Sequence, residues 1–74
     1  MAMEHLLVTY QESRGVKAND VVVGDTNAQL RLPADVYDIT LDGLSDYDPP
    51  SVTIVLGNTT PEHPRVVAFV PKPV

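Results

Sequence analysis

This 74-residue chain has no cysteine and no tryptophan, and phenylalanine occurs only once. The absence of cysteine excludes disulfides and thiolate chemistry, so ordinary apolar side chains must supply the core. No apolar run approaches the roughly 18 residues that indicate a membrane span. We therefore expect a single small domain over residues 1–74 that does not insert into a membrane. Residues 1–3 read as an addition from cloning, and residues 71–74 read as a tail or linker stub.

Basic residues are scarce, and the formal net charge is −5. No lysine or arginine occurs between Arg31 and Arg65. The acidic residues in that window are Asp35, Asp38, Asp42, Asp46, Asp48 and Glu62. Nucleic acids and anionic membrane surfaces are bound through basic footprints, so we expect neither as a partner.

Apolar residues alternate with polar ones over several short segments, which is the pattern of half-buried strands. Turn-forming residues separate these segments, and no segment has helical periodicity. The pattern predicts an all-β fold, a small antiparallel β-sandwich of six or seven strands. The predicted strands cover residues 5–10, 16–23 with an interruption at Asn19-Asp20, 28–32, 36–42, 52–56 and 65–70. We expect a hairpin turn at 11–15 and a long turn at 44–50.

The predicted core consists of the inward-facing residues of these strands. Its members are Leu6, Val8, Leu30, Leu32, Tyr37, Ile39, Leu41, Val52, Ile54, Leu56, Val67 and Phe69. Tyr10 and Tyr37 are expected to help build the core with their hydroxyl groups at its rim. Tyr47 lies among aspartates and prolines, and we expect it to be exposed.

The layout from Val21 onward resembles the PEGA-type domain and its relatives, the carboxypeptidase regulatory-like and transthyretin-like β-sandwiches. The residues that carry the resemblance are Val21-Val22-Val23-Gly24-Asp25, Leu32-Pro33-Ala34-Asp35-Val36-Tyr37, Asp46-Tyr47-Asp48-Pro49 and the segment 52–56. The resemblance implies an accessory, surface-associated or carrier-linked module that is appended to a larger protein. It implies no catalytic residues.

The loop 42–48 is the sharpest candidate site, because three carboxylates and a glycine fall within seven residues. Such a loop could gather oxygen ligands for calcium, but the order of its residues does not match the EF-hand loop. Asp38, Thr40 and Asp42 share one face of their predicted strand, so a solvated acidic face explains most of these charges. The candidate binding residues are Asp38, Asp42, Asp46, Tyr47 and Asp48.

No enzyme activity, catalytic residue, cofactor or metal is expected. His5 and His63 are too few for a zinc site without carboxylates. No serine has a nearby histidine or a nucleophile elbow. Asn58-Thr59-Thr60 fits the glycosylation triplet, but we interpret it as a turn.

Three functions remain open from the sequence. The first is a non-catalytic protein-interaction or structural β-module, with an unidentified protein as partner. The second is an acidic inhibitor or mimic that binds a basic surface. The third is a calcium-dependent carbohydrate or surface-binding module. A homodimer is also possible, because the edge strands of small sheets can pair between chains.

Overall fold

The structure, a computed structural model, describes residues 3–72. These residues form nine strands and no helix, so the all-β prediction is confirmed and the predicted number of strands is wrong. The strands are β1 Met3–Thr9, β2 Gly15–Ala18, β3 Val21–Asp25, β4 Gln29–Pro33, β5 Asp35–Leu41, β6 Tyr47–Asp48, β7 Val52–Leu56, β8 Arg65–Ala68 and β9 Val70–Pro71. They make up sheets of three, four and two strands.

The three-stranded sheet has the order β4-β1-β8. β1 is antiparallel to β4, with Leu6 opposite Leu30. β1 is parallel to β8, with Leu7 opposite Val66. The expectation of a purely antiparallel fold is therefore wrong for this pair. No hairpin joins β1 to β8, so no short connection imposes an antiparallel direction.

The four-stranded sheet has the order β3-β2-β5-β7, and all its pairs are antiparallel. The interruption predicted near Asn19-Asp20 is a two-residue turn between β2 and β3. Both of its residues have positive φ, at 51° and 68°. Asparagine and aspartate tolerate this conformation, and such turns match the twist of a hairpin.

The segment 11–15 is not the predicted hairpin turn, because it carries the chain from β1 in one sheet to β2 in the other. Thr26 and Asn27 hold this crossover in place. The Thr26 hydroxyl accepts a hydrogen bond from Arg14 N and donates one to Glu12 O. The Asn27 side chain accepts from Tyr10 N and donates to Tyr10 O. Distant polar side chains thus replace the local turn bonds that a hairpin would have made.

Both larger sheets contribute to one buried core. Ten of the twelve predicted core residues are buried, and the other two, Leu32 and Val52, pack partly buried against them. The buried cluster also contains Tyr10, Val16, Ala18 and Tyr47. The predictions that Tyr10 and Tyr37 are buried with their hydroxyls bonded at the rim are confirmed. Their hydroxyl groups donate to Asp46 O and Pro33 O.

The third sheet pairs two short strands, β6 and β9. β6 was predicted to belong to a turn, and β9 combines the last residue of the predicted strand 65–70 with the first residue of the predicted tail. Tyr47 in β6 lies opposite Pro71 in β9. The predicted strand 65–70 is divided, because Phe69 N donates to Thr9 O between β8 and β9. Lys72 N donates to Asp46 O, so this part of the predicted tail is bonded to the domain. Met1, Ala2, Pro73 and Val74 lie outside the described residues.

Candidate functional site

Arg14 lies at the centre of the acidic loop. Its Nε and Nη2 donate to the carbonyl oxygen of Asp42 at 2.9 and 2.6 Å, and Nη2 also donates to Leu44 O at 2.7 Å. Its Nη1 donates to Asp46 Oδ1 at 2.8 Å. The Arg14 side chain is only 14% exposed. The loop therefore closes around the guanidinium group and accepts four hydrogen bonds from its five N–H donors.

Two tyrosine rings flank the same guanidinium group. The Arg14 carbon Cζ lies 5.7 Å from the ring centre of Tyr10 and 5.8 Å from that of Tyr47. At these distances a cation is attracted to the face of an aromatic ring. We call the set of Tyr10, Arg14, Asp46 and Tyr47 the Arg14 cluster.

The prediction that Tyr47 is exposed is wrong, since the residue is only 6% exposed. Its ring packs edge-to-face on Phe69, with 5.3 Å between the ring centres. Its hydroxyl group accepts from Leu41 N and donates to Leu41 O. The exposure of Tyr47 was predicted from its polar neighbours in the sequence. Its burial depends instead on contacts with β5 and with Phe69, which are distant in the sequence or not visible in its local pattern.

The charges in the Arg14 cluster stabilise one another. The hydrogen bond from Arg14 lowers the pKa of Asp46, and the same bond raises the pKa of Arg14. Burial, followed by the charge of Asp46, raises the pKa of Tyr10. All three groups therefore keep their ordinary charge at neutral pH, and the arrangement suits a structural role.

The remaining candidate aspartates lie mainly on the outer face of the four-stranded sheet. Asp38 and Asp42 are exposed there, as predicted. Thr53 Oγ1 donates to Asp38 Oδ1 at 3.2 Å, and Lys17 Nζ lies 3.5 Å from Asp42 Oδ1. Asp48 is exposed in β6.

Two of the five aspartates between Asp35 and Asp48 are paired with basic side chains, so the negative charge of this segment is partly compensated. Asp42 and Asp46 each have a basic partner, Lys17 and Arg14 respectively. Lys17 and Arg14 lie outside the acidic segment between Arg31 and Arg65, so the composition of that segment does not indicate these pairs. Within residues 3–72, no group of three or more histidine, aspartate or glutamate side chains is placed to hold a metal ion.

A second polar cluster joins β1 to the loop after β7. The carboxylate oxygen Oε1 of Glu4 accepts from Thr59 N at 2.9 Å and from Thr59 Oγ1 at 2.7 Å. Thr59 Oγ1 in turn accepts from His5 N at 2.7 Å. These bonds lower the pKa of Glu4, the backbone bond more than the hydroxyl bond. Thr59 belongs to the glycosylation triplet, and these bonds attach the loop after β7 to β1.

The outer face of β5 and β7 carries an exposed apolar pair that was not predicted from the sequence. Val55 is 73% exposed, and Val36, which lies opposite it, is 52% exposed. Among the strands of residues 3–72, β7 is the last of its sheet and pairs with β5 alone. A signal was present in the sequence, because Ile54, Val55 and Leu56 are consecutive apolar residues, and neighbouring strand residues point to opposite faces.

The chain matches no protein-family model, and the searches of curated proteins and of solved structures find no significant match. No helix long and apolar enough to cross a membrane is found in residues 3–72.

Proposed function

We propose that this protein is a non-catalytic protein-interaction β-module whose contact surface is the outer face of β5 and β7 together with the free edge of β7. The observation that carries the proposal is the exposed pair Val36 and Val55 beside an edge strand. Exposed valines in a row at the edge of a sheet are a common docking feature, because an added strand gains both backbone hydrogen bonds and apolar contact.

The proposed architecture is a two-layer β-sandwich. Its layers are the three-stranded and four-stranded sheets, with the buried cluster between them. Gly24 of β3 supports the layering, because a Cβ atom at this position would collide with Leu30 Cδ2 of β4. The two sheets therefore approach closely at that corner. The resemblance to PEGA-like accessory modules belongs to this proposal and implies that the module serves a larger protein.

The acidic loop is less suited to be the contact surface. Arg14 already occupies the loop carbonyl groups and the Asp46 carboxylate, and Tyr47 is buried. A partner that bound there would have to compete with bonds that hold the fold. The β5–β7 surface requires no such loss.

Affinity capture with purified tagged protein tests the proposal against the acidic-mimic alternative. We expect the tagged protein to capture one and the same partner protein at low and at high salt. Untagged wild-type protein should compete for that partner, whereas untagged Val55→Lys should not. Val66→Lys, which alters an exposed valine of β8, is the matched control and should compete as wild type does.

The alternative, an acidic mimic that binds a basic surface, predicts the opposite results. An electrostatic partner is lost at high salt, because screening weakens exposed charges. It is also lost in Asp48→Asn and is retained in Val55→Lys. That result would contradict the proposed function.

A further inference from the structure

We propose that β7 pairs with β7 of a second copy of this chain, antiparallel and centred on Ile54, so that two four-stranded sheets join into one. The inference rests on the proposed function and names the partner of the β5–β7 surface. Three independent features of the strand support it: its lack of edge protection, its symmetry, and its charge.

β7 differs from the other outer strands of the two larger sheets. Natural sheets protect their edges with charged residues, proline, bulges or short strands. β4 carries Arg31 and ends at Pro33. β3 ends in Gly24 and Asp25, and its register with β2 is irregular. β8 has four residues and begins at Arg65. β7, with the sequence Val-Thr-Ile-Val-Leu, has none of these features.

The strand is complementary to itself. An antiparallel pair about Ile54 places Val52 opposite Leu56 of the second copy and Thr53 opposite Val55 of the second copy. Directly opposed residues point to the same side of a sheet. Ile54 and Leu56 therefore stay on the core side of both sheets, and Val55 stays on the outer side. Pairing in this register exposes no buried side chain.

Charge favours this segment over the rest of the surface as a contact between copies. Each copy carries a net charge of −5, so two copies repel each other on average. Residues 49–61, which include β7, contain no charged side chain. Across the junction, Val36 and Val55 of one copy would continue into Thr53 and Asp38 of the other. In this register, no line of directly opposed residues across the junction places two carboxylates next to each other.

The proposed contact is small, because one five-residue strand meets its equivalent. Interfaces of this kind fall below the standard size and are weak and reversible. We therefore expect a monomer–dimer equilibrium that moves toward the dimer between micromolar and millimolar concentration.

Sedimentation velocity of the purified full chain over that range tests the inference. We expect the wild-type protein to dimerise and Val55→Lys to raise the dimer dissociation constant on the order of tenfold or more, because the lysine removes the apolar contact of Val55 across the junction and places a charge on the edge strand, as natural sheets do to prevent pairing. Val66→Lys should dimerise as wild type does. Melting curves establish that both variants fold. A monomer at all concentrations, or equal effects of the two lysines, would overturn the inference.

Disulfide trapping tests the register. The chain has no cysteine, so introduced thiols have no competitors. A mixture of Thr53→Cys and Val55→Cys should crosslink faster than either variant alone, since these positions are directly opposed. Equal rates in the mixture and in the single variants would contradict the register. A monomeric protein that still captures a partner through Val55 would refute self-pairing and leave the proposed function standing.

Discussion

Glu4 accepts two hydrogen bonds from Thr59, a residue 55 positions further along the chain. The side chain of Glu4 lies near the start of β1, and Thr59 lies in the loop after β7, so the bonds join the two larger sheets. Thr59 Oγ1 also accepts a hydrogen bond from the backbone N–H of His5. One threonine thus satisfies a carboxylate and a backbone donor at the same point.

Thr59→Val should lower the melting temperature by several degrees. Valine keeps the shape of threonine but removes the hydroxyl group, which leaves His5 N without its acceptor. An unsatisfied buried donor costs about 1–3 kcal/mol, and the partly buried His5 N–H should fall at the lower end of that range. Thr60→Val, one residue further on, is the control. The exposed Thr60 hydroxyl accepts one bond from His63 N, which also donates to Thr60 O, so His63 N keeps an acceptor in this variant. Thermal unfolding followed by circular dichroism gives the comparison, and equal shifts for the two variants would show that the Thr59 hydroxyl has no special role.

Glu4 should also make stability depend on pH in the acidic range. Its pKa is lowered in the folded protein, whereas an unfolded glutamate titrates near about pH 4.3. A lowered pKa means that the stabilisation is complete above the unfolded value and is lost as the pH falls through the folded value. The difference in melting temperature between wild type and Glu4→Gln should be constant from neutral pH to about pH 5 and should shrink below about pH 4. Glu62→Gln, an exposed loop variant, controls for the loss of charge. A difference that persists unchanged into strong acid would contradict the ionic contribution of Glu4.

Arg14→Lys should destabilise the protein clearly more than Arg31→Lys. Arginine presents a planar fork of donors and stacks on aromatic rings, and lysine supplies one compact ammonium group instead. Lysine at position 14 cannot serve Asp42 O, Leu44 O and Asp46 Oδ1 together. Arg31 is exposed on β4 and provides the matched control. Melting temperature and the near-ultraviolet signal of the tyrosines would both change in Arg14→Lys, and a change no larger than in the control would contradict the role of the Arg14 cluster.

Ile39→Ala should unfold the domain or nearly do so. Ile39 is fully buried in the middle of β5, and the loss of a buried isoleucine side chain costs about 2–5 kcal/mol. That is comparable to the roughly 3–5 kcal/mol that one small core supplies. Val36→Ala alters an outward-facing residue of the same strand and should cost much less. Denaturant titration of both variants measures the difference, and equal midpoints would mean that the faces of β5 are assigned wrongly.

The sequence was sufficient to predict the strands whose two faces differ in polarity. The bounds of β7 at Val52–Leu56 were predicted correctly, and β5 was predicted within one residue. In these strands most apolar side chains face the core and most polar side chains face solvent, so the alternation at every second residue shows directly which face is buried. The same alternation identified most of the core, because every second residue of β1, β5 and β7 points inward.

The Arg14 cluster could not be predicted in this way. Arg14 lies in a polar connection, and its acceptors are 28 to 32 residues further along the chain. Three of its four hydrogen bonds go to backbone carbonyl oxygens, which every residue possesses. Only the crossover between the two sheets brings the guanidinium group to the loop. Charge counting over a local window therefore assigned the acidic loop to solvent, although a distant cation occupies it.

The parallel pairing of β1 with β8 has a consequence for how the protein folds. β1 is the central strand of its sheet, yet its second neighbour is made of Arg65–Ala68, which is synthesised among the last of these residues. Contacts between such distant parts of a chain form slowly, because a long loop must close first. During synthesis, β1 has one side unpaired until almost the whole segment has left the ribosome. The three-stranded sheet therefore cannot be completed before β8 is present, and a chain shortened to end before Arg65 would leave one edge of β1 unpaired.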